Sequence, residues 1–363
     1  MNINHIMTKI FLVSLFLLLI LSLSSCNNYV FLTLNYDGYL DTSNYIIVEY
    51  DNSHNSKNKL QEEINNIVIP ILELIETEAS PSSSTVSLIN ENAGKKGINV
   101  SDTFLYLLNE NIKYAKLFPN FDPTIGALTS IWDISHQAEY CLINNNCNIP
   151  SIDDINDAKS KVNYQNIIID GNNVYLKEEN MKLDLGASAK GYAADLIKEA
   201  LIKANFDFFV INLGGNIYIH GESINYNKNN KDVEIALEDP FDASSKLLDV
   251  IIYDKTIVTS SITKRYIIKD DIKYHHILDK ITGYPVNNDM VQVSIILDNS
   301  LQADIFSTAI ISMENAERAK EYMIKNNIDG IIVTSSYDIY IIGDINYNDL
   351  NNGVYNILIY KNE

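Results

Sequence analysis

Five segments of the sequence carry side chains whose types and spacing could do chemistry. In Asp184-Leu185-Gly186-Ala187-Ser188-Ala189-Lys190-Gly191-Tyr192-Ala193-Ala194-Asp195, a short strand pattern over 182–185 runs into a turn of small residues. A helical pattern with Leu196, Ile197 and Leu201 follows. Small residues let a ligand approach the backbone, and a helix N-terminus offers unpaired N–H groups to an anion. The segment fits neither a GxxxxGKS/T nor a GxGxxG loop; the plain alternative is a tight strand–helix turn with no ligand. Asp304 and Thr308 stand four residues apart in a helical stretch, one turn above each other on one face. A carboxylate and a hydroxyl so placed can reach one hard cation such as magnesium, which takes oxygen ligands. Taken alone, the pair also reads as an ordinary polar stripe. His275-His276 opens a segment that ends Asp279-Lys280-Ile281-Thr282-Gly283-Tyr284-Pro285. Adjacent strand residues face opposite ways, so at most one of the two rings enters a site, where an imidazole suits a general base. The alternative is a surface strand and its turn. Asn120-Phe121-Asp122-Pro123-Thr124-Ile125-Gly126, with Trp132 beyond it, and Val210-Ile211-Asn212-Leu213-Gly214-Gly215-Asn216 complete the set. Each of these is also good turn chemistry.

The elements around these segments follow from periodicity. A strand is predicted over 45–50. A helix follows with Leu60, Ile64, Ile67, Ile71 and Leu74 on one face and a kink at Pro70, broken by Pro81 and Ser82-Ser83-Ser84. Ser101 predicts the N-cap of a helix to about residue 117, with Phe104, Leu105, Leu108 and Ile112 inward, and Pro150-Ser151 marks another helix start. Residues 144–148 read as loop. Residues 167–169 and 174–176 form a hairpin pattern about Gly171-Asn172-Asn173, and strands over 206–213 and 217–219 flank Gly214-Gly215. A buried strand over 291–297, a helix over 301–313 and a hairpin over 331–333 and 339–342 complete the pattern. There is no fixed-period repeat and no long linker. The reading is one catalytic body of mixed α/β class without strict βαβ order.

Composition bounds the function. The 363 residues are 46% hydrophobic and 20% charged, enough for one large or two small domains with proper cores, which excludes a disordered or disulfide-stapled chain. With 47 acidic against 27 basic residues the formal charge is −20, and nucleic acid is excluded as main partner by repulsion. Lys9, the apolar run over 10–21 and Leu23-Ser24-Ser25-Cys26 describe an export signal, shorter than the ~20 apolar residues of a bilayer span. Small residues before Cys26 resemble a bacterial lipobox. Residues 1–25 are therefore expected to be a signal peptide, Cys26 the lipidated residue, and residues 26–363 one domain. The product would be an exported lipoprotein held at the cell membrane through its lipid, on the periplasmic face of the inner membrane. An uncleaved anchor is the alternative. Cys141 and Cys147 are then read as a local disulfide, since a zinc site would find only His136 nearby.

Together and in this order, the segments resemble the ApbE family, the FAD:protein FMN transferases. The family's Phe-Asp-Pro-Thr, Asp-Leu-Gly…Lys-Gly-Tyr-Ala and Asn-Leu-Gly-Gly-Asn stand at 121–124, 184–193 and 212–216. Thr259-Ser260-Ser261…Arg265-Tyr266, His276-Ile277-Leu278-Asp279…Thr282-Gly283-Tyr284-Pro285 and Ala303-Asp304…Ser307-Thr308-Ala309 follow, and Val86-Ser87-Leu88-Ile89-Asn90 looks like an earlier Ile-Ser…Asn segment. The likeness covers the chain from about Leu40 onward. It departs at Leu40-Asp41-Thr42 (Met-Gly-Thr in the family), at Ser261 (Gly) and at Lys280 (Pro).

The resemblance implies mixed sheets flanked by helices and a magnesium-dependent reaction. FAD is cleaved at its pyrophosphate, FMN is joined through phosphate to a Thr hydroxyl of an acceptor flavoprotein, and AMP leaves. It implies Asp304, Thr308 and the Ala187 carbonyl as ligands of Mg2+. Leu40, Asn120, Phe121, Asp122, Asp184, Lys190 and Ile277 would contact FAD, and His276 would be the general base toward the acceptor Thr. The acceptors would be envelope flavoproteins on the exported side. Two other readings use the same segments. One is a magnesium-dependent FAD pyrophosphatase with water as nucleophile; the other is a flavin-binding lipoprotein without catalysis, which has no use for a base.

Overall fold

Alternating apolar residues open the chain as a hairpin of β1 (Tyr29–Asn35) and β2 (Asn44–Asp51), in a computed structural model that describes residues 28–53, 55–144, 147–224 and 233–362. Cys26 and the apolar run before it lie outside the described residues. α1 (Lys57–Ala79) lays Leu60, Ile64, Val68, Leu72 and Ile75 on the inner face of this hairpin, against Leu32, Leu34, Ile46 and Val48. The stripe is rotated from the expected one. Residues 67–72 are apolar on every side but for Pro70, so the sheet and not the periodicity selects Val68 and Leu72, and Leu74 stays 36% exposed. The helix continues through Pro70.

A short helix, α2 (Thr85–Glu91), and β3 (Ile98–Asn99) lead to α3 (Asp102–Leu117), capped as the sequence predicts: Ser101 Oγ accepts from Phe104 N at 3.0 Å. Phe104, Leu107, Leu108 and Tyr114 take its inner face, while the expected Leu105 and Ile112 are half-buried. α4 (Gly126–Trp132), α5 (Ile134–Asn144) and α6 (Ile152–Ser160), the last capped by Ser151, precede the hairpin of β4 (Ile167–Asp170) and β5 (Asn173–Leu176). Cys141 and Cys147 are joined as a disulfide with their Cα atoms 5.0 Å apart, so neither is a thiolate ligand.

Then come α7 (Ala189–Lys203), β6 (Phe209–Leu213), β7 (Asn216–His220), β8 (Val233–Glu238), β9 (Lys246–Ile252) and β10 (Thr256–Ser261). The hairpin β11 (Tyr266–Lys269) and β12 (Ile272–His275) leads to β13 (Met290–Leu297), α8 (Ser300–Ile311) and α9 (Ala316–Lys325). The chain ends with β14 (Asp329–Thr334), β15 (Asp338–Ile342), β16 (Asn346–Asp349) and β17 (Asn356–Tyr360).

One nine-stranded sheet, in the order β1-β2-β6-β7-β10-β13-β14-β15-β17, organises these elements. Its pairs are antiparallel except β15 with β17. The side-chain period of two sends Val293 and Ile295 of β13 toward the helices, with Leu301, Ile305, Phe104 and Phe118, and sends Ile296 to the other face; an irregularity in the register between Met290 and Gln292 puts Val291 on that other face as well. That other face is covered by the small sheet β16-β9-β8 through Val233, Ile235, Leu248 and Val250. The fold is therefore mixed α/β in layers: helices, a large sheet, a small sheet.

α8 is buried on nearly every side. Its N-terminus is held by Asp195 of α7, whose Oδ1 accepts from Ser300 N at 2.9 Å and whose Oδ2 accepts from Leu301 N at 2.9 Å and Asn299 Nδ2 at 2.8 Å. Gly191 permits this contact, since a Cβ there would lie 2.3 Å from the Ser300 carbonyl oxygen. The strand expected over 182–185 is reduced to a single bridge between Lys182 and Ile125. Among the described residues, no helix is long and apolar enough to cross a membrane.

Candidate active site

The small-residue turn before α7 is built by side chains from three directions. Asn90 of α2 clamps Leu183, donating to its carbonyl at 3.0 Å and accepting its N–H at 2.7 Å. Asp184 Oδ1 accepts from Gly186 N at 2.9 Å and its Oδ2 from Thr129 Oγ1 at 2.8 Å, so this carboxylate closes the turn. Ser188, fully buried, donates to the Leu185 carbonyl at 3.0 Å and accepts from Asn111 Nδ2 of α3 at 2.8 Å. Ala187 and Lys190 are thereby fixed at the mouth of α7.

Asp304 of α8 meets that turn. Its Oδ2 accepts from Gly191 N at 2.9 Å and lies 3.8 Å from Lys190 Nζ, which also donates to the Gly186 carbonyl at 3.1 Å. An N–H in the first turn of α7, offered by the sequence to an anion, is thus already taken by the chain's own carboxylate. Burial pushes the Asp304 carboxyl above the usual carboxylate range, opposed by the Lys190 charge and the Gly191 N–H. One turn on, Thr308 Oγ1 lies 3.4 Å from Ser260 Oγ, itself 2.8 Å from Ser307 Oγ.

The histidine doublet divides as alternation requires. His275 is buried: its Nε2 lies 2.9 Å from the Val286 carbonyl oxygen and its Nδ1 3.3 Å from Ile277 N. A carbonyl only accepts and an amide N–H only donates, which assigns the proton to Nε2. Burial pushes this imidazole down to about 4. His276, half-buried, has its N–H 3.1 Å and its Nδ1 3.2 Å from the Arg265 carbonyl oxygen. By the same reasoning Nδ1 carries the proton and Nε2 keeps a lone pair. Burial, then the Arg265 charge, holds His276 below the usual imidazole range. Both imidazoles are pushed down to about 4.

The Phe-Asp-Pro-Thr turn is a structural knot. Asn120 Nδ2 donates to the Ala309 carbonyl of α8 at 2.6 Å, and Phe121 is buried. Asp122 is enclosed: Oδ1 accepts from Thr124 N at 3.0 Å and Thr124 Oγ1 at 2.7 Å, and Oδ2 from Tyr164 N and Lys280 Nζ, both at 3.2 Å. Trp132 Nε1 donates to the Gly283 carbonyl at 2.8 Å and ties α4 to the Thr-Gly-Tyr-Pro turn. Leu40 adopts φ 55°, and its N–H donates to the Glu76 side chain.

One cleft along the sheet brings together Leu40, Asn120, Phe121, Asp122, Asp184, Ala187, Lys190, His276, Ile277, Asp304 and Thr308. Cys26 alone of the predicted site residues lies outside the described residues. Thr129, Ser260 and Arg265 line the same cleft without having been assigned roles from the sequence. Thr129 had no local signal, because it acts on a residue far away in the chain, while Ser260 and Arg265 stood in a family-like segment without a role. Among the described residues no three His, Cys, Asp or Glu side chains gather as a metal cluster. A cation at Asp304 would draw on one carboxylate, with neutral oxygens for the rest.

Comparison with known proteins bears on family and fold. The ApbE family model matches residues 41–344. The chain is 31% identical over 263 residues to an FAD:protein FMN transferase of Klebsiella pneumoniae, covering 71% of this chain and 77% of that protein. It is 24% identical over 281 residues to an FAD:protein FMN transferase of Vibrio cholerae, covering 77% and 80%. Among solved structures, the ApbE protein of Thermotoga maritima superposes with a TM-score of 0.72 at 25% identity, over 87% of this chain and 96% of that one. The flavin transferase ApbE of Vibrio cholerae superposes with a TM-score of 0.70 at 22% identity, over 89% and 97%. With the motifs in order, the fold shared and the family model spanning most of its length, this chain belongs to the ApbE family.

Proposed function

We propose that the protein is an FAD:protein FMN transferase. The observation that carries the reading is the meeting, in one cleft, of the Asp304–Thr308 pair and Ala187 with an imidazole whose Nε2 lone pair is free. The activity is also the one named for the Klebsiella pneumoniae relative. Asp304 and Thr308 with the Ala187 carbonyl would offer an oxygen-only donor set suited to Mg2+, and the buried Asp304 carboxylate, with one close N–H donor on Oδ2, keeps acceptor capacity for a cation. Bound there, Mg2+ would neutralise phosphate charge. Asn120, Phe121, Ile277 and Leu40 offer the flavin dinucleotide its walls, while Asp122 and Asp184 shape the turns that hold it.

His276 Nε2 takes the proton of an acceptor Thr hydroxyl. The hydroxyl oxygen bonds to the FMN phosphorus, the bridging P–O bond to AMP breaks, and AMP leaves. The acceptor is a flavoprotein with an accessible Thr. We further infer export and tethering through a lipid on Cys26 at the periplasmic face of the inner membrane, supported by the apolar run and small residues before that cysteine.

The test incubates the full chain, in detergent, with FAD, Mg2+ and a Thr-bearing acceptor flavoprotein, and reads acceptor mass and released AMP. A mass gain equal to FMN, lost with EDTA and in His276→Ala, supports the transferase. AMP and free FMN with no labelling would make it a pyrophosphatase. Intact FAD would overturn both.

A further inference from the structure

Only two of the chain's 27 basic residues are arginines, Arg265 and Arg318. Arg318 sits on α9, paired with Glu321 at 3.2 Å on the surface. Arg265 lies in the cleft, immediately before β11, and has no ion-pair partner among the described residues. The neighbouring cations differ. Lys190 faces Asp304 at 3.8 Å, Lys280 faces Asp122 at 3.2 Å, and Lys264 is paired with Glu238. Their charge is largely compensated within the protein, whereas the Arg265 guanidinium, on an exposed side chain, is not. The same residue's carbonyl takes both the N–H and the Nδ1–H of His276, so its backbone orients the base.

We propose that Arg265 is a catalytic residue of this cleft whose guanidinium grips the pyrophosphate oxygens of the dinucleotide beside His276. The inference rests on the transferase reading and deepens it. A guanidinium presents donors in a planar fork that matches two phosphate oxygens, and it stays charged throughout turnover. As the hydroxyl oxygen bonds to the FMN phosphorus and the bond to the AMP phosphate breaks, negative charge grows on the leaving phosphate and on the transferred phosphoryl oxygens. A fixed cation at that place stabilises this charge. The charged groups acting on His276 are Arg265, His275 and Lys190, and Arg265 leads them. Its positive charge therefore also keeps the base unprotonated.

The test compares wild type, Arg265→Ala and Arg265→Lys as full chains, reading FAD and riboflavin binding, FMN transfer and its pH profile. The exposed side chain has no described partner to lose, so both variants fold. Arg265→Ala should bind riboflavin as wild type does but FAD more weakly, and lose roughly 10²–10³-fold in kcat/KM. Arg265→Lys should fall between, since an ammonium cannot bridge two oxygens. The acid limb of kcat/KM should move to higher pH in Arg265→Ala, a change that a merely structural role would not produce. Wild-type FAD affinity, kcat/KM and acid limb in Arg265→Ala would overturn the role of Arg265 while leaving the transferase standing. Wild-type protein that neither binds FAD nor labels an acceptor would overturn both.

Discussion

Asp122 Oδ2 and Lys280 Nζ meet at 3.2 Å across the cleft wall, the carboxylate 1% exposed and the lysine 18%. The pair joins the Phe-Asp-Pro-Thr turn to the turn that follows His276, at a position where the family's pattern has proline. Lysine here replaces a rigid turn residue with a charge that compensates a buried carboxylate. Lys280→Ala would leave that carboxylate inside with only the Thr124 and Tyr164 donors. A loss on the order of 3 kcal/mol is expected, near the low end for breaking a buried pair, read as a shift in the denaturant midpoint. An unchanged midpoint would show that the three remaining donors suffice.

The two histidines should separate cleanly by mutation. His275 is a neutral, buried, hydrogen-bonded ring, so His275→Ala costs stability. His276→Ala should retain the fold and lose FMN transfer. The sign follows from linkage: His275 has a folded pKa near 4 against about 6.5 unfolded, so the unfolded state binds the proton first. Its stability is complete above about pH 6.5 and falls as pH drops toward 4, by a total on the order of 3 kcal/mol. Urea titrations across that range check it; His275→Ala should flatten the fall.

The segments of the candidate site were legible because they are compact motifs that resemble the family's, and the fold brings them to one cleft. Asp304 and Thr308 share a helix face, and the capping role of Ser101 follows from its place before an apolar pattern. What was not legible is the set of long-range contacts. Thr129 reaches Asp184 over 55 residues, Asn111 reaches Ser188 over 77, and Lys280 reaches Asp122 over 158. Polar side chains of this kind carry no periodic signal, so Lys280 read only as a departure from the family. α1 was rotated because its apolar residues surround the helix, leaving the choice of face to the sheet. The edge strands β1 and β17, and the covering sheet β16-β9-β8, were missed because short or half-polar strands resemble loops in a single sequence.

Asp304 should be separable into a packing role and a charge role. Asp304→Asn keeps the size and an acceptor for Gly191 N but removes the negative charge. FMN transfer should fall about 10²–10³-fold, with little change in midpoint, because burial opposes the charge that is lost. Thr308→Ala removes a neutral oxygen and should fall less. Titrating Mg2+ against the three proteins reads the effect directly. Equal metal requirement in all of them would remove Asp304 from the metal site.

Gly191 links fold to function through one missing carbon. A Cβ there would sit 2.3 Å from the Ser300 carbonyl oxygen and 2.7 Å from Leu301 Cα, both backbone atoms that no rotamer change can clear. Gly191→Ala therefore forces α7 and α8 apart, at a cost of about 1–3 kcal/mol for overpacking. The same displacement stretches the bond from Gly191 N to Asp304 and moves Lys190 away from the carboxylate. Activity should fall by more than the loss of folded protein explains, since geometry at a reacting centre is far less tolerant than packing. Measuring kcat on the folded fraction, with denaturation alongside, distinguishes the two effects. A drop in stability with kcat intact would mean that the α7–α8 contact supports the fold without setting the site.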